Sequence, residues 1–174
     1  MNEYRRRIDI ILEPEFIDGI EVLDLDELRA RKKMADEVET ELSYYRRLLH
    51  GRLDLLAFEM RRRTGEETRS LIEALPDVLG AGEHGGGGRS RFPTVFSPDL
   101  PDDRRRHVDR VLDDDFLSRL PTLDDDDLLE IRNMLSDTEV GISGERRSVQ
   151  RVVDVLHQEL VRRYKEDAAD LTVI

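Results

Sequence analysis

The chain has 174 residues and a net charge of −12, with 39% of its residues charged, 5% aromatic, and no cysteine or tryptophan. So few large apolar side chains disfavour a compact globule and favour a helical hairpin or coiled coil. The acidic charge argues against direct DNA or membrane binding and favours a basic protein partner, and the lack of cysteine excludes disulfides and thiolate metal sites. Because no apolar run could span a bilayer and no signal-peptide order is present, we expect a cytoplasmic protein.

Two long helices are predicted, each after a short amphipathic element and an acidic turn. The first follows Asp24, a residue type typical of N-caps, and is expected over about 26–63, with Gly65 just beyond it as a stop signal. The second follows Asp124 and is expected over about 126–165.

The chain divides into two repeats and a linker. The first repeat covers 1–80, with a minor helix expected over about 66–78, and the second repeat covers 102–174. Between them, 81–101 contains a run of four glycines and three prolines, a composition typical of a flexible segment. The predicted fold is all-α: an antiparallel two-helix coiled-coil hairpin with short flanking helices, formed by internal duplication.

The duplication is visible because residues 100 positions apart match without an insertion. The match includes five polar positions with the spacing E-x3-S-x2-R-x3-[H/Q]-x3-D. These are Glu39, Ser43, Arg46, His50 and Asp54 in the first copy, and Glu139, Ser143, Arg146, Gln150 and Asp154 in the second. Beyond this motif, Glu59, Arg62 and Arg63 match Glu159, Arg162 and Arg163. An ungapped register over about fifty positions indicates internal duplication.

Helix geometry gathers each motif onto one face. At about 100° per residue, the five side chains fall within a stripe roughly 80° wide. An apolar stripe runs beside it, which we expect to form the seam between the helices. Its members are Leu42, Leu49, Leu53, Leu56 and Met60 on the first helix, and Ile142, Val149, Val153, Leu156 and Leu160 on the second.

The residue types in the motif are suited to a guanine nucleotide rather than a metal. Arginine can donate to the O6/N7 edge of guanine, stack on a base or pair with phosphate, and aspartate can accept from guanine N1–H and the exocyclic amine. Serine and glutamine are suited to phosphate or ribose. Two other interpretations remain open: charges interleaved on a helix often form solvated salt bridges, and a repeated polar stripe can simply fix the helix register of a structural adaptor.

No catalytic residues are predicted. The glycine run is not followed by the Lys-Ser/Thr of a phosphate-binding loop, and neither a Ser/His/Asp arrangement nor histidines at metal-ligand spacing occur. We therefore expect no enzyme activity and no metal site.

The second motif copy resembles the signature of the RsiG family at every position, and the first copy fits except that His50 replaces glutamine. RsiG proteins are cyclic di-GMP-dependent anti-sigma factors of sporulating actinobacteria. The resemblance implies an antiparallel helical hairpin that binds a stacked dimer of cyclic di-GMP. It also implies that the loaded protein sequesters a WhiG-type sigma factor, and that transcription of late sporulation genes begins when cyclic di-GMP falls.

The resemblance also implies roles for the motif residues. The arginines and aspartates are expected to contact guanine or phosphate. The serines, Gln150 and His50 would supplement those contacts, and Glu39 and Glu139 would bind the ligand or orient arginine. His50 differs from glutamine in one respect that affects binding, because its charge depends on pH.

Overall fold

The structure is a computed structural model, and it describes residues 6–80 and 116–170. All regular secondary structure in these ranges is helical, which confirms the all-α prediction, and no helix there has the length and apolar character to cross a membrane. The helices are α1 Arg7–Ile11, α2 Leu25–Thr64, α3 Leu71–Gly80, α4 Phe116–Arg119 and α5 Asp125–Asp170, with 3-10 turns at Pro14–Phe16, Ile20–Val22 and Leu120–Thr122. The predicted linker at 81–101 lies outside the described residues.

Both long helices begin at the predicted aspartates. Asp24 accepts a hydrogen bond from the backbone N–H of Glu27 at 2.7 Å, and Asp124 accepts one from Asp127 at 2.8 Å. Each carboxylate therefore satisfies a first-turn N–H that has no partner within the helix, and its negative charge lies at the positive end of the helix dipole.

Helix α2 ends at the predicted glycine. Gly65 has φ of +80°, and the N–H of Glu66 donates to the carbonyl of Arg61 at 2.9 Å. This six-to-one hydrogen bond with a left-handed glycine is a Schellman motif. After it, α3 begins at Leu71 rather than at 66, since Ser70 and Glu73 form a reciprocal capping box at 3.3 and 2.9 Å.

A seven-residue repeat of buried side chains runs along each long helix. From 28 to 56 on α2 and from 128 to 156 on α5, every residue at this spacing is at most 1% exposed except Ile142, which is half-buried. The buried positions are Leu28, Ala35, Leu42, Leu49 and Leu56 on α2, and Leu128, Leu135, Val149 and Leu156 on α5. A repeat of seven is the spacing of a left-handed coiled-coil seam.

The chain forms two compact units, and each is built from both repeats. Unit 1 comprises Met1–Leu42 and Gly144–Ile174, whereas unit 2 is Ser43–Ser143. The boundaries fall inside α2 and α5. Each unit therefore combines the first half of one repeat's long helix with the second half of the other's.

In unit 2 the α2 and α5 segments run antiparallel. Arg46 contacts Glu139, and seventeen residues further along α2, Arg63 contacts Asp125 at the start of α5. Buried leucines lie between the segments, and α3 packs its Leu71, Leu75 and Val78 against them. The buried set is Leu49, Leu55, Leu56, Leu120, Leu128 and Leu135.

In unit 1 the two segments are antiparallel as well. Arg29, near the start of α2, donates to the hydroxyl of Tyr164 at 2.9 Å, and Glu39 pairs with Arg146. Helix α1 packs against α2 through Arg7, which donates to two glutamates of α2.

The second half of α2 holds the turn before α5, which belongs to the other repeat, through a clamp that we define as Glu59, Arg62 and Arg63. The carboxylate of Glu59 is 1% exposed and accepts from both arginines at 2.8–2.9 Å. Arg63 also donates to the carbonyls of Leu120 and Leu123, at 3.4 and 2.7 Å. These carbonyls belong to the turn before α5, so the clamp ties that turn to α2.

Unit 1 has the same clamp, formed by Glu159, Arg162 and Arg163 one hundred positions later. Arg163 donates to the carbonyls of Ile20 and Leu23 at 2.6 and 2.5 Å, and to Glu159 at 2.8 Å. This clamp therefore ties the turn before α2 to α5, in the same way as the clamp of unit 2 ties the turn before α5 to α2.

The two clamps make the stability of the fold depend on pH. Hydrogen bonds from Arg162 and then Arg163 lower the pKa of Glu159 to about 2 from 4.5, and Arg62 and Arg63 lower the pKa of Glu59. Since the folded-state pKa lies below the unfolded one, this stabilisation is complete above pH 4.5 and is lost as the pH falls towards about 2. We expect Glu159→Gln to lower the thermal melting temperature at neutral pH and the difference from wild type to close by pH 2. A difference that stayed constant over that range would contradict the prediction.

Candidate functional site

Four motif residues meet in unit 2, and we call them the Arg46 cluster: Arg46 and His50 of α2 with Glu139 and Ser143 of α5. The Nε of Arg46 lies 3.3 Å from Oε1 of Glu139 and 3.1 Å from Oγ of Ser143. The Nε2 of His50 lies 2.9 Å from the same glutamate oxygen, and the Ser143 hydroxyl donates to it at 2.6 Å. One carboxylate oxygen therefore gathers three polar groups.

This environment keeps Glu139 ionised. The hydrogen bond from Ser143 lowers its pKa most, contacts with His50 and Arg46 lower it further, and burial opposes them. Its side chain is 18% exposed, so these interactions are only partly screened by solvent. At neutral pH the carboxylate is an acceptor only and a fixed negative charge.

Arg46 is held by one edge of its guanidinium. Both of its hydrogen bonds use Nε, and within the described chain its two terminal nitrogens have no partner. The side chain is 40% exposed. Arg46 thus has a fixed orientation and a paired set of N–H donors available to a ligand.

Four further motif residues lie in unit 1, and we call them the Arg146 cluster: Glu39, Arg146, Gln150 and Asp154. The Nε of Arg146 lies 3.0 Å from Oε1 of Glu39. One turn further along α5, the Gln150 amide donates to Oδ1 of Asp154 at 3.2 Å.

The two clusters share one rule of pairing. In unit 2 the arginine of the first motif copy pairs with the glutamate of the second, and in unit 1 the arginine of the second pairs with the glutamate of the first. The glutamates therefore bind and orient arginines across the helix pair. The sequence contains the signal for this pairing, since both copies place glutamate seven residues before arginine, but only the register of the helices assigns the partners.

The remaining motif residues lie on α2 in unit 2. Ser43 is half-buried at the start of the unit. Asp54 is exposed one turn beyond His50, and no other described residue forms a hydrogen bond or an ion pair with its carboxylate. Asp54 is therefore not joined to the Arg46 cluster, and its two oxygens face solvent.

The arrangement is suited to recognising an anion or a nucleobase. Each cluster offers a guanidinium that is already oriented, and acceptors follow one or two turns away on the same helix. No group of three or more histidine, aspartate or glutamate side chains in the described ranges is arranged to hold a metal ion.

Comparison with known proteins identifies the family. No curated protein matches the chain. The family model described as RsiG-like matches residues 14–79 and 114–173, which together make up more than half of the chain and include both motif copies. The RsiG-like family implies a regulator of the anti-sigma type whose partner is a sigma factor. The chain therefore belongs to the RsiG-like family of anti-sigma regulators.

Proposed function

We propose that the chain is a cyclic di-GMP-binding anti-sigma factor that sequesters a WhiG-type sigma factor when loaded and releases it when cyclic di-GMP falls. The observation that carries this proposal is Arg46, which is oriented through Nε while its terminal nitrogens have no described partner. The protein would act in the cytoplasm as a binding protein and would leave the dinucleotide chemically unchanged.

The geometry of Arg46 fits the guanine edge or the phosphate of the dinucleotide. The terminal nitrogens of arginine form two parallel hydrogen bonds with O6 and N7 of guanine, or with two phosphate oxygens. Because Glu139 already fixes the guanidinium plane, little side-chain entropy is lost on binding. Arg146 has an equivalent partner in Glu39, so the second cluster supports the same role.

The aspartates complete the recognition of guanine. A carboxylate can accept from N1–H and the exocyclic amine together, which adenine does not offer. Asp54 is exposed, and among the described residues Asp154 has only the 3.2 Å hydrogen bond from Gln150 to exchange. We therefore propose that the aspartates select guanine and that the arginines provide most of the affinity.

Overall charge does not account for binding of a polyanion here. The ten motif residues include two arginines but four carboxylates, and the whole chain carries −12. Affinity must come from charge-assisted hydrogen bonds at short range, which are about twice as strong as neutral ones. Such contacts are directional and favour a specific ligand over anions in general.

A structural adaptor is the second candidate, and one observation favours it. The pairs Arg46–Glu139 and Arg146–Glu39 are complete between protein side chains and join α2 to α5 within each unit. Such pairs could fix the helix register and do nothing else. The two candidates differ in whether the arginines also bind cyclic di-GMP.

Titration calorimetry with cyclic di-GMP is the experiment that tests the proposal. We expect saturable binding of two molecules per chain, no comparable heat with cyclic di-AMP, and unchanged dinucleotide recovered by chromatography. A pull-down with a WhiG-type sigma factor should retain the sigma factor only when cyclic di-GMP is present. A well-folded helical sample that gives no heat with cyclic di-GMP would leave the adaptor as the better account.

A further inference from the structure

His50 is the position at which the two motif copies differ, since the second copy has Gln150. The difference falls inside the Arg46 cluster, where Nε2 of His50 lies 2.9 Å from Oε1 of Glu139. The imidazole is half-exposed, and no described residue contacts its other nitrogen, Nδ1. One ring nitrogen is therefore occupied and the other is accessible to a ligand.

The contact with Glu139 decides which nitrogen carries the proton of a neutral imidazole. An ionised carboxylate only accepts, so the proton lies on Nε2 and leaves Nδ1 as an acceptor. A phosphate oxygen is also an acceptor and would be repelled there. Protonation at Nδ1 converts that nitrogen into a charged donor, whereas the amide of glutamine donates in either case.

We propose that His50 takes up one proton on Nδ1 when cyclic di-GMP binds beside Arg46, keeps it, and donates a hydrogen bond through it to a phosphate oxygen of the ligand. His50 thereby makes the Arg46 cluster bind more tightly as the pH falls, and the Arg146 cluster lacks this property. The inference rests on the proposed function, because it concerns the same ligand.

The charges around His50 are consistent with this step. On α2, Arg46 and Arg47 lie one turn before it and Asp54 lies one turn after it, and on α5 it faces Glu139 and Ser143. Glu139 is kept ionised by its own hydrogen bonds, and arginine does not titrate near neutral pH. A phosphate that approaches this set adds negative charge, and a proton on His50 offsets part of it.

The test is calorimetric titration with cyclic di-GMP across the range in which histidine changes charge, about pH 5 to 8. For the wild type we expect affinity to fall as the pH rises, by at most about tenfold per unit for one proton. Titration in two buffers with different heats of ionisation should show uptake of up to one proton per chain. His50→Gln should bind with an affinity that is flat over this range and should take up no proton.

Two matched variants complete the design. Gln150→His places the imidazole in the Arg146 cluster and should steepen the dependence of affinity on pH. His157→Gln removes an exposed histidine of α5 outside both clusters and should keep the wild-type slope.

The outcomes separate this inference from the function on which it rests. Equal slopes in wild type and His50→Gln, or an affinity that rises with pH, would overturn the role of His50 and leave the proposed function in place. An affinity that rises with pH would mean that neutral Nδ1 accepts a hydrogen bond from an N–H of the guanine base. No binding by any variant at any pH would overturn the proposed function and this inference with it.

Discussion

Replacing Arg46 with alanine is expected to weaken cyclic di-GMP binding by about 100-fold, and Arg146→Ala should have an effect of the same size. Hydrogen bonds to a charged group contribute about 1.5–3 kcal/mol each, and 1.4 kcal/mol corresponds to a factor of ten. At the lower of these figures, the loss of two such bonds between guanidinium and ligand costs about 3 kcal/mol, which corresponds to about 100-fold. Calorimetric titration of each variant beside the wild type measures the effect.

The fold should tolerate these substitutions, which makes the binding result interpretable. Arg46 and Arg146 are substantially exposed, and ion pairs of this kind contribute about 1 kcal/mol or less. Arg132→Ala is the matched control, since it removes an exposed arginine of α5 outside both clusters. Unchanged affinity in Arg46→Ala with normal helicity would contradict the proposal and favour the adaptor.

Local signals in the sequence were sufficient to locate the long helices. Asp24, Asp124 and Gly65 act through hydrogen bonds to their own neighbours, so residue type alone predicts their effect, and all three predictions are confirmed. The capping box of Ser70 and Glu73 is equally local, and its residue types predict that α3 begins close to Leu71.

The end of α5 shows where local reasoning fails. Basic residues at 162, 163 and 165 predicted an end near 165, because cations favour the last turn of a helix. The helix continues to Asp170. Arg162 and Arg163 both bind Glu159. Arg163 also binds the carbonyls of Ile20 and Leu23 in the turn before α2, so these arginines form a clamp and do not mark the end of their helix. A backbone acceptor has no sequence signature, so this interaction could not be read from residue types.

The candidate site, too, is predictable from the sequence only in part. The periodicity of the motif placed each set of side chains on one helix face, but the partner of each glutamate depends on how α2 and α5 are aligned. The matched spacing of the copies limits that alignment without fixing it. The pairs Arg46–Glu139 and Arg146–Glu39 therefore required the structure.

Arg63→Ala, in the clamp of unit 2, is the second substitution with a large expected effect. It should lower the free energy of unfolding by about 3 kcal/mol. Arg63 is one of the two arginines that bind the buried Glu59, and it also donates to the carbonyls of Leu120 and Leu123. Its removal leaves a buried carboxylate partly compensated and two carbonyls without this donor. Urea denaturation followed by circular dichroism measures the loss.

Arg62→Ala is the matched control for this effect. Arg62 binds the same carboxylate at 2.8 Å, but its side chain is 40% exposed against 22% for Arg63, and it reaches neither carbonyl. We expect Arg62→Ala to cost about 1 kcal/mol, with Arg63→Ala alone increasing amide hydrogen exchange in the turn before α5. Equal losses in the two variants would assign the stabilisation to Glu59 alone and would mean that the carbonyl contacts contribute nothing to holding the repeats together.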